Sequence, residues 1–148
     1  MSEWAAALDA HILLHENDRE WVRRPDPAIR FWQGETLPLH DGITLIIGAG
    51  HYPGGSLLHW PAGAAGKGVL LSGDIIQVNA DRKSTSFMYS YPNWIPLGPR
   101  AVRRLAAAVA PFAFDRIYGA FPTREILTGA KRVVQFSVDR HLKAIEEG

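Results

Sequence analysis

Cysteine is absent from the 148 residues, so neither a disulfide framework nor a thiolate metal site is open to this chain. An excess of one charge is also missing. The 16 Lys and Arg against 15 Asp and Glu leave a formal net charge of +1, which gives no electrostatic footing for nucleic acid. Arg100, Arg103 and Arg104 do cluster, but on a helix that pattern marks a solvated face. No apolar run approaches membrane-spanning length. The opening Met1–Ala10 lacks the basic start and long apolar core of a signal peptide, so the expectation is a cytoplasmic protein without a membrane partner. There is no repeat and no low-complexity tract. What is present is a 47% hydrophobic composition at a length suited to one domain, 1–148, able to bury roughly 70% of its unfolded surface.

Along the chain, Glu3 to Ala10 reads as a short helix feeding a strand at Ile12–His15. Asn17 or Asp18 is placed to cap a helix through Trp21 to Arg23, stopped by Pro25 and Pro27. Strands follow at Phe31–Glu35 and Ile43–Ile47, and a hairpin joins Ser56–Trp60 to Gly68–Ser72 across a loop of small residues. Pro99 suits the first turn of a helix to Val109, with Val102, Leu105, Ala106 and Val109 on one face. A short strand at Asp115–Gly119 precedes a long final helix from about Gly129. Its apolar stripe is Ala130, Val133, Val134, Ser137, Leu142 and Ile145. Strands in the middle with flanking helices predict a layered α/β or α+β domain.

Two residues stand in turns built to aim a side chain. His51 lies in Gly48-Ala49-Gly50-His51-Tyr52-Pro53-Gly54-Gly55, where glycines permit positive φ and Pro53 fixes the chain direction. Asp74 follows Gly73 at the end of an apolar strand. Imidazole with carboxylate suits zinc, manganese or iron, although two ligands do not make a site. The plainer reading is that His51 braces its turn and Asp74 caps the next segment. His15 is either a third ligand or a strand-end residue bonding a backbone carbonyl, and the second reading is favoured. His40, His59 and His141 read as structural or exposed. Tyr89, Tyr91, Asn93 and Trp94 crowd one short segment, which either lines a substrate pocket or forms a surface loop pinned by its own aromatics. No nucleophile elbow and no phosphate-binding loop is present.

Taken together, these features resemble the metallo-β-lactamase-fold hydrolases. Gly50-His51-Tyr52-Pro53-Gly54 is similar to that family's Gly-His-Thr-Pro-Gly loop, and the hairpin ending in Ser72-Gly73-Asp74 is similar to its strand and bridging aspartate. The resemblance spans nearly the whole chain and implies a partial αββα sandwich. It further implies His51 as a metal ligand, Asp74 as a carboxylate between two metals, and a bridging water as attacking group. The family's His-x-His-x-Asp-His signature is absent, as though the chain began just downstream of it. No histidine follows His51 at Gly55 or Ser56, and none lies in Tyr118–Glu125, where the family's last one is expected.

Two readings follow from the resemblance. One is a metal-dependent hydrolase with an incomplete site; the other is an inactive remnant of the fold serving as a binding or oligomeric module. A third, independent of it, is an unrelated small α/β protein with a ligand pocket at Tyr89–Trp94. Missing strands would bare a sheet edge and apolar surface, so a homodimer or higher homo-oligomer is expected.

Overall fold

The computed structural model describes residues 1–147. Helix α1 (Ser2–Leu8) leads into β1 (Ile12–His15), which pairs in parallel with β2 (Ile29–Trp32). Between them Glu16–Trp21 forms a 3-10 helix rather than a helix through Arg23. Its cap is not Asn17 or Asp18 but the His15 ring, which accepts the Asn17 N–H at 3.2 Å. The expected strand at 31–35 starts earlier and stops at Trp32, because Gly34 turns the chain at φ +89°. A short β3 (Thr36–Pro38) follows.

The main sheet has six strands in the order β12-β11-β6-β5-β4-β3, with β4 (Thr44–Ile47), β5 (Ser56–Trp60), β6 (Val69–Gly73), β11 (Arg116–Gly119) and β12 (Glu125–Ile126). Only the β6–β11 pair is parallel. The hairpin joining β5 to β6 stands where the small-residue loop predicts it, with a helical turn, α2 (Gly63–Gly66), at its tip. After β6 come two small ribbons. In one, β7 (Gln77–Val78) pairs with β8 (Thr85–Ser86). In the other, β9 (Met88–Ser90) pairs with β10 (Ile95–Pro96).

One face of the main sheet carries Ile46, Leu57, Leu70 and Ile117 into the core. Helix α3 (Pro99–Val109) meets them with Val102, Leu105 and Val109, and α4 (Ala130–Glu146) with Ala130, Val134 and Val138. Pro99 opens α3 at its first turn, where its missing N–H leaves no hydrogen bond unmade. On α4, Ser137 is buried, accepting the Thr85 N–H at 2.8 Å and donating to Val133 O at 2.8 Å. Ile145, expected on the apolar stripe, is exposed in the last turn.

The other face of the sheet is also apolar. Leu37, Leu45, Leu58, Leu71 and Tyr118 lie side by side across five strands. Leu71, next to the central Leu58, is 43% exposed, and Trp60, two residues after Leu58, is 45% exposed, whereas Leu45 is buried. Strands β3 and β12 form the two edges of this sheet.

Candidate functional site

The turn between β4 and β5 is held by its own backbone. The N–H groups of Gly48 and Ala49 both donate to Gly55 O at 2.8 Å, and Gly55 N–H donates to Tyr52 O at 3.1 Å. Gly48 has to be small, since a Cβ there would sit 2.6 Å from Leu57 and 2.8 Å from Ile75. Gly50 takes φ +94°, a conformation that L side chains resist. From outside the turn, the Asp18 carboxylate accepts the Gly54 N–H at 2.6 Å and so ties the 3-10 helix to this loop.

His51 is thereby presented at one point. Its Nδ1 lies 3.1 Å from Tyr89 O, and as a carbonyl can only accept, Nδ1 is the donor, which leaves Nε2 as the ring nitrogen free of a protein partner among the described residues. The ring sits edge-on to Tyr52 and Tyr91, with centroids 5.2 and 5.1 Å apart.

Asp74 follows Gly73, which turns at φ +53°. Its Oδ1 is buried and has no hydrogen-bond partner, while its backbone oxygen accepts the Tyr91 hydroxyl at 2.8 Å. Burial, and secondarily the Asp74 charge, push the Tyr91 hydroxyl well above the ordinary tyrosine range, so it stays a neutral donor. The fold thus brings His51 and Asp74 to opposite ends of one phenol: the ring meets the imidazole edge-on and the hydroxyl donates to the aspartate backbone oxygen.

A third ligand does not join them. Among the described residues, no group of three or more His, Asp or Glu side chains is arranged to hold a metal ion. His15 is buried with both nitrogens engaged, Nε2 at 3.1 Å from Gly34 O and Nδ1 accepting the Asn17 N–H. It acts as a strand-end brace and offers no lone pair to a metal. His59 and His141 likewise bond Ala113 O at 2.7 Å and Leu97 O at 2.8 Å. His40 pairs with Asp41 in solvent. One imidazole nitrogen and one carboxylate oxygen, with a phenol between their residues, do not fit the metal centre that the fold family implies.

Beside His51 opens a cleft of about 780 Å³, lined by Asn17, Trp21, Tyr52, Pro53, Tyr89, Pro92 and Arg104 among others. Of the aromatic segment, Tyr89 lines it, whereas Tyr91 is half-buried and does not line it. Trp94 is 81% exposed in a left-handed turn, and Asn93 bonds Ser90 Oγ at 3.3 Å; neither reaches the cleft. Sequence reasoning misses Trp21 and Arg104. Trp21 reads locally as a helix end and Arg104 as part of a solvated basic face, and no periodicity signals that they face a common space.

The architecture is that of the metallo-β-lactamase fold. MEM-A1, a subclass B3 metallo-β-lactamase isolated from a soil metagenome library, superposes with a TM-score of 0.57 at 16% identity, over 99% of this chain and 70% of that one. A B3 metallo-β-lactamase with an active-site glutamic acid gives 0.56 at 15%, over 99% and 65%. A metallo-β-lactamase from Staphylococcus aureus subsp. aureus COL gives 0.55 at 16%, over 97% and 46%. In sequence, the chain is 50% identical over 143 residues to YmaE of Bacillus subtilis (strain 168), an uncharacterised protein, covering 97% of this chain and 52% of YmaE. The chain therefore spans about half the length of the curated relative it matches. No protein-family model matches it. No helix among the described residues is long and apolar enough to cross a membrane.

Proposed function

We propose that this chain is a metallo-β-lactamase-fold domain that works as a small-molecule-binding and self-associating module, its metal centre degenerate. The observation that carries this reading is the phenol of Tyr91 between His51 and Asp74, with no third ligand beside them. The same loop that would present a metal ligand instead forms the wall of an aromatic cleft. The rival reading, a metal-dependent hydrolase, needs further ligands from outside the described residues.

Metal content separates the two. Elemental mass spectrometry of the buffer-exchanged protein is expected to show no stoichiometric zinc, manganese or iron, in wild type and in His51→Ala alike. Added zinc should leave the melting temperature unmoved, whereas a site filled at a hundred times its Kd would add about 2.7 kcal/mol. Stoichiometric metal that disappears in His51→Ala would overturn the degenerate-site reading and call for ester, lactone and phosphoester screens.

Self-association rests on a separate observation, the row Leu37, Leu45, Leu58, Leu71 and Tyr118 on the sheet face away from α3 and α4. In layered folds such a face packs against a second sheet, and open apolar faces associate. A two-fold homodimer closing this face against its copy is the simplest arrangement. Light scattering after size exclusion should give a dimer or larger assembly at micromolar concentration. Leu71→Lys should shift it to monomer, since Leu71 is the most exposed leucine of the row and the new charge would be buried in the dimer. A monomeric wild type would refute it.

A further inference from the structure

We infer that the cleft beside His51 binds a small organic anion with a flat apolar body, its rings lying on Trp21, Tyr52 and Tyr89 and its anionic group meeting Arg104. This rests on the reading of the chain as a ligand-binding module and names the class of ligand.

Size comes first. A cleft of about 780 Å³ lies within the range that takes small organic ligands, and it is lined mainly by apolar and aromatic groups with few polar ones. The wall is also held in place before any ligand arrives. Trp21 packs edge-on to Tyr52 at 5.8 Å, Tyr52 on His51 at 5.2 Å, and His51 on Tyr91 at 5.1 Å, so four rings brace one another in series. At the far end, Tyr91 is anchored through its hydroxyl to Asp74 O, and at the near end Asp18 ties the helix of Trp21 to Gly54. Yet Trp21 remains 49% and Tyr52 46% exposed. Rings fixed at their edges with open faces favour stacking of a flat partner, because little side-chain freedom remains to be lost on binding.

Charge then selects among flat ligands. Arg104 is the one Lys or Arg lining the cleft, and no Asp or Glu lines it. Its neighbour Arg103 is held by Glu146 through two bonds of 2.6 and 2.7 Å, whereas Arg104 has no ion pair or hydrogen bond among the described residues. The Asp18 carboxylate, on the 3-10 helix, does not line the cleft; it accepts the Gly54 N–H and makes no ion pair with Arg104. A guanidinium at the rim of an aromatic cleft without a protein counter-ion is suited to a carboxylate or a phosphate, which it can grip with two parallel N–H bonds. The two anions share that chemistry, and the experiment distinguishes them.

Calorimetric titrations with 2-naphthoate, 2-naphthyl phosphate and the neutral 2-naphthamide test the assignment. One or both anions should bind saturably at one per chain, about tenfold more tightly than the amide. Whichever anion binds tighter identifies the natural head group. Arg104→Gln should bring the anions down to the level of the amide at an unchanged melting temperature, since Arg104 is exposed. Arg103→Gln should leave the preference intact. Trp21→Ala should weaken all three probes together. Equal affinity for amide and anions in wild type would overturn the inference, as would a preference surviving Arg104→Gln, or no saturable binding at millimolar probe.

Repeating the titration with a chelator keeps this separate from the question of a metal. If the protein holds metal but anion binding resists the chelator, the degenerate-site reading fails and the Arg104 assignment stands. If the chelator abolishes anion binding, the anion sits on a metal and the assignment falls.

Discussion

Gly68→Ala should destabilise this protein by about 2–5 kcal/mol, although it adds a single methyl group. Two causes act together. Gly68 takes φ +82°, and a Cβ built there would lie 2.0 Å from the backbone oxygen of Ala113. A side chain could rotate away, but a carbonyl fixed in the chain entering β11 cannot. The position also organises the one parallel pair of the main sheet: Gly68 O accepts the N–H groups of Asp115 and Arg116 at 3.0 and 3.4 Å, and Gly68 N–H donates to Gly63 O at 3.0 Å. Relief of the clash would pull β6 and β11 out of register at their shared start. Gly66→Ala is the control, because Gly66 has a similar φ of +80° but nothing within 4 Å of the added carbon. It should cost only the backbone strain, about 1 kcal/mol. Urea denaturation of the two variants measures the difference. A Gly68→Ala protein within about 0.5 kcal/mol of wild type would refute the argument, and if it does not fold, Gly66→Ala and wild type still calibrate the strain.

Phe87→Ala should cost about 3–5 kcal/mol, the range for removing a fully buried aromatic ring from a packed core. Phe87 is wholly buried, stands edge-on to His141 with centroids 5.5 Å apart, and accepts the Leu97 N–H at 2.9 Å through its backbone oxygen. For a chain of this length the melting temperature should fall by roughly 10–15 °C. The consequence reaches the cleft, because Phe87 immediately precedes β9, which carries Tyr89 and leads to Tyr91. Without the anchor, amide hydrogens of residues 88–97 should exchange faster than those of α3. Phe87→Leu should recover more than half of the lost stability, since most of the volume returns. A loss below about 1 kcal/mol, or uniform exchange throughout the chain, would mean that Phe87 is not what holds this segment.

Several elements are legible in the residues themselves. Helix α3 runs from Pro99 to Val109 as its proline and its apolar spacing predict, and both signals are local. The hairpin from β5 to β6, the strand at Arg116–Gly119 and the long α4 follow the same logic. Residues 16–23 escape such reasoning because the side chain that caps them belongs to His15, on the preceding strand, and because Asp18 is drawn to Gly54. The bounds of β2 escape it too, because its parallel partner, Ile12–His15, sets its start at Ile29. Propensity yields to pairing when the partner lies far along the chain.

The candidate site divides in the same way. The absence of cysteine, the layered α/β class, the stiff turn that presents His51 and the strand end that bears Asp74 are determined by residue types and spacings of a few positions. That Tyr91 stands between those two, that both nitrogens of His15 are occupied, and that Trp21 and Arg104 face one cleft is decided only by tertiary structure. The bonds responsible join residues far apart in sequence: His51 to Tyr89 across 38 positions, Gly54 to Asp18 across 36, and Tyr91 to Asp74 across 17. Turn chemistry and periodicity act through neighbours along the chain, whereas the convergence of side chains on one space depends on how whole layers pack.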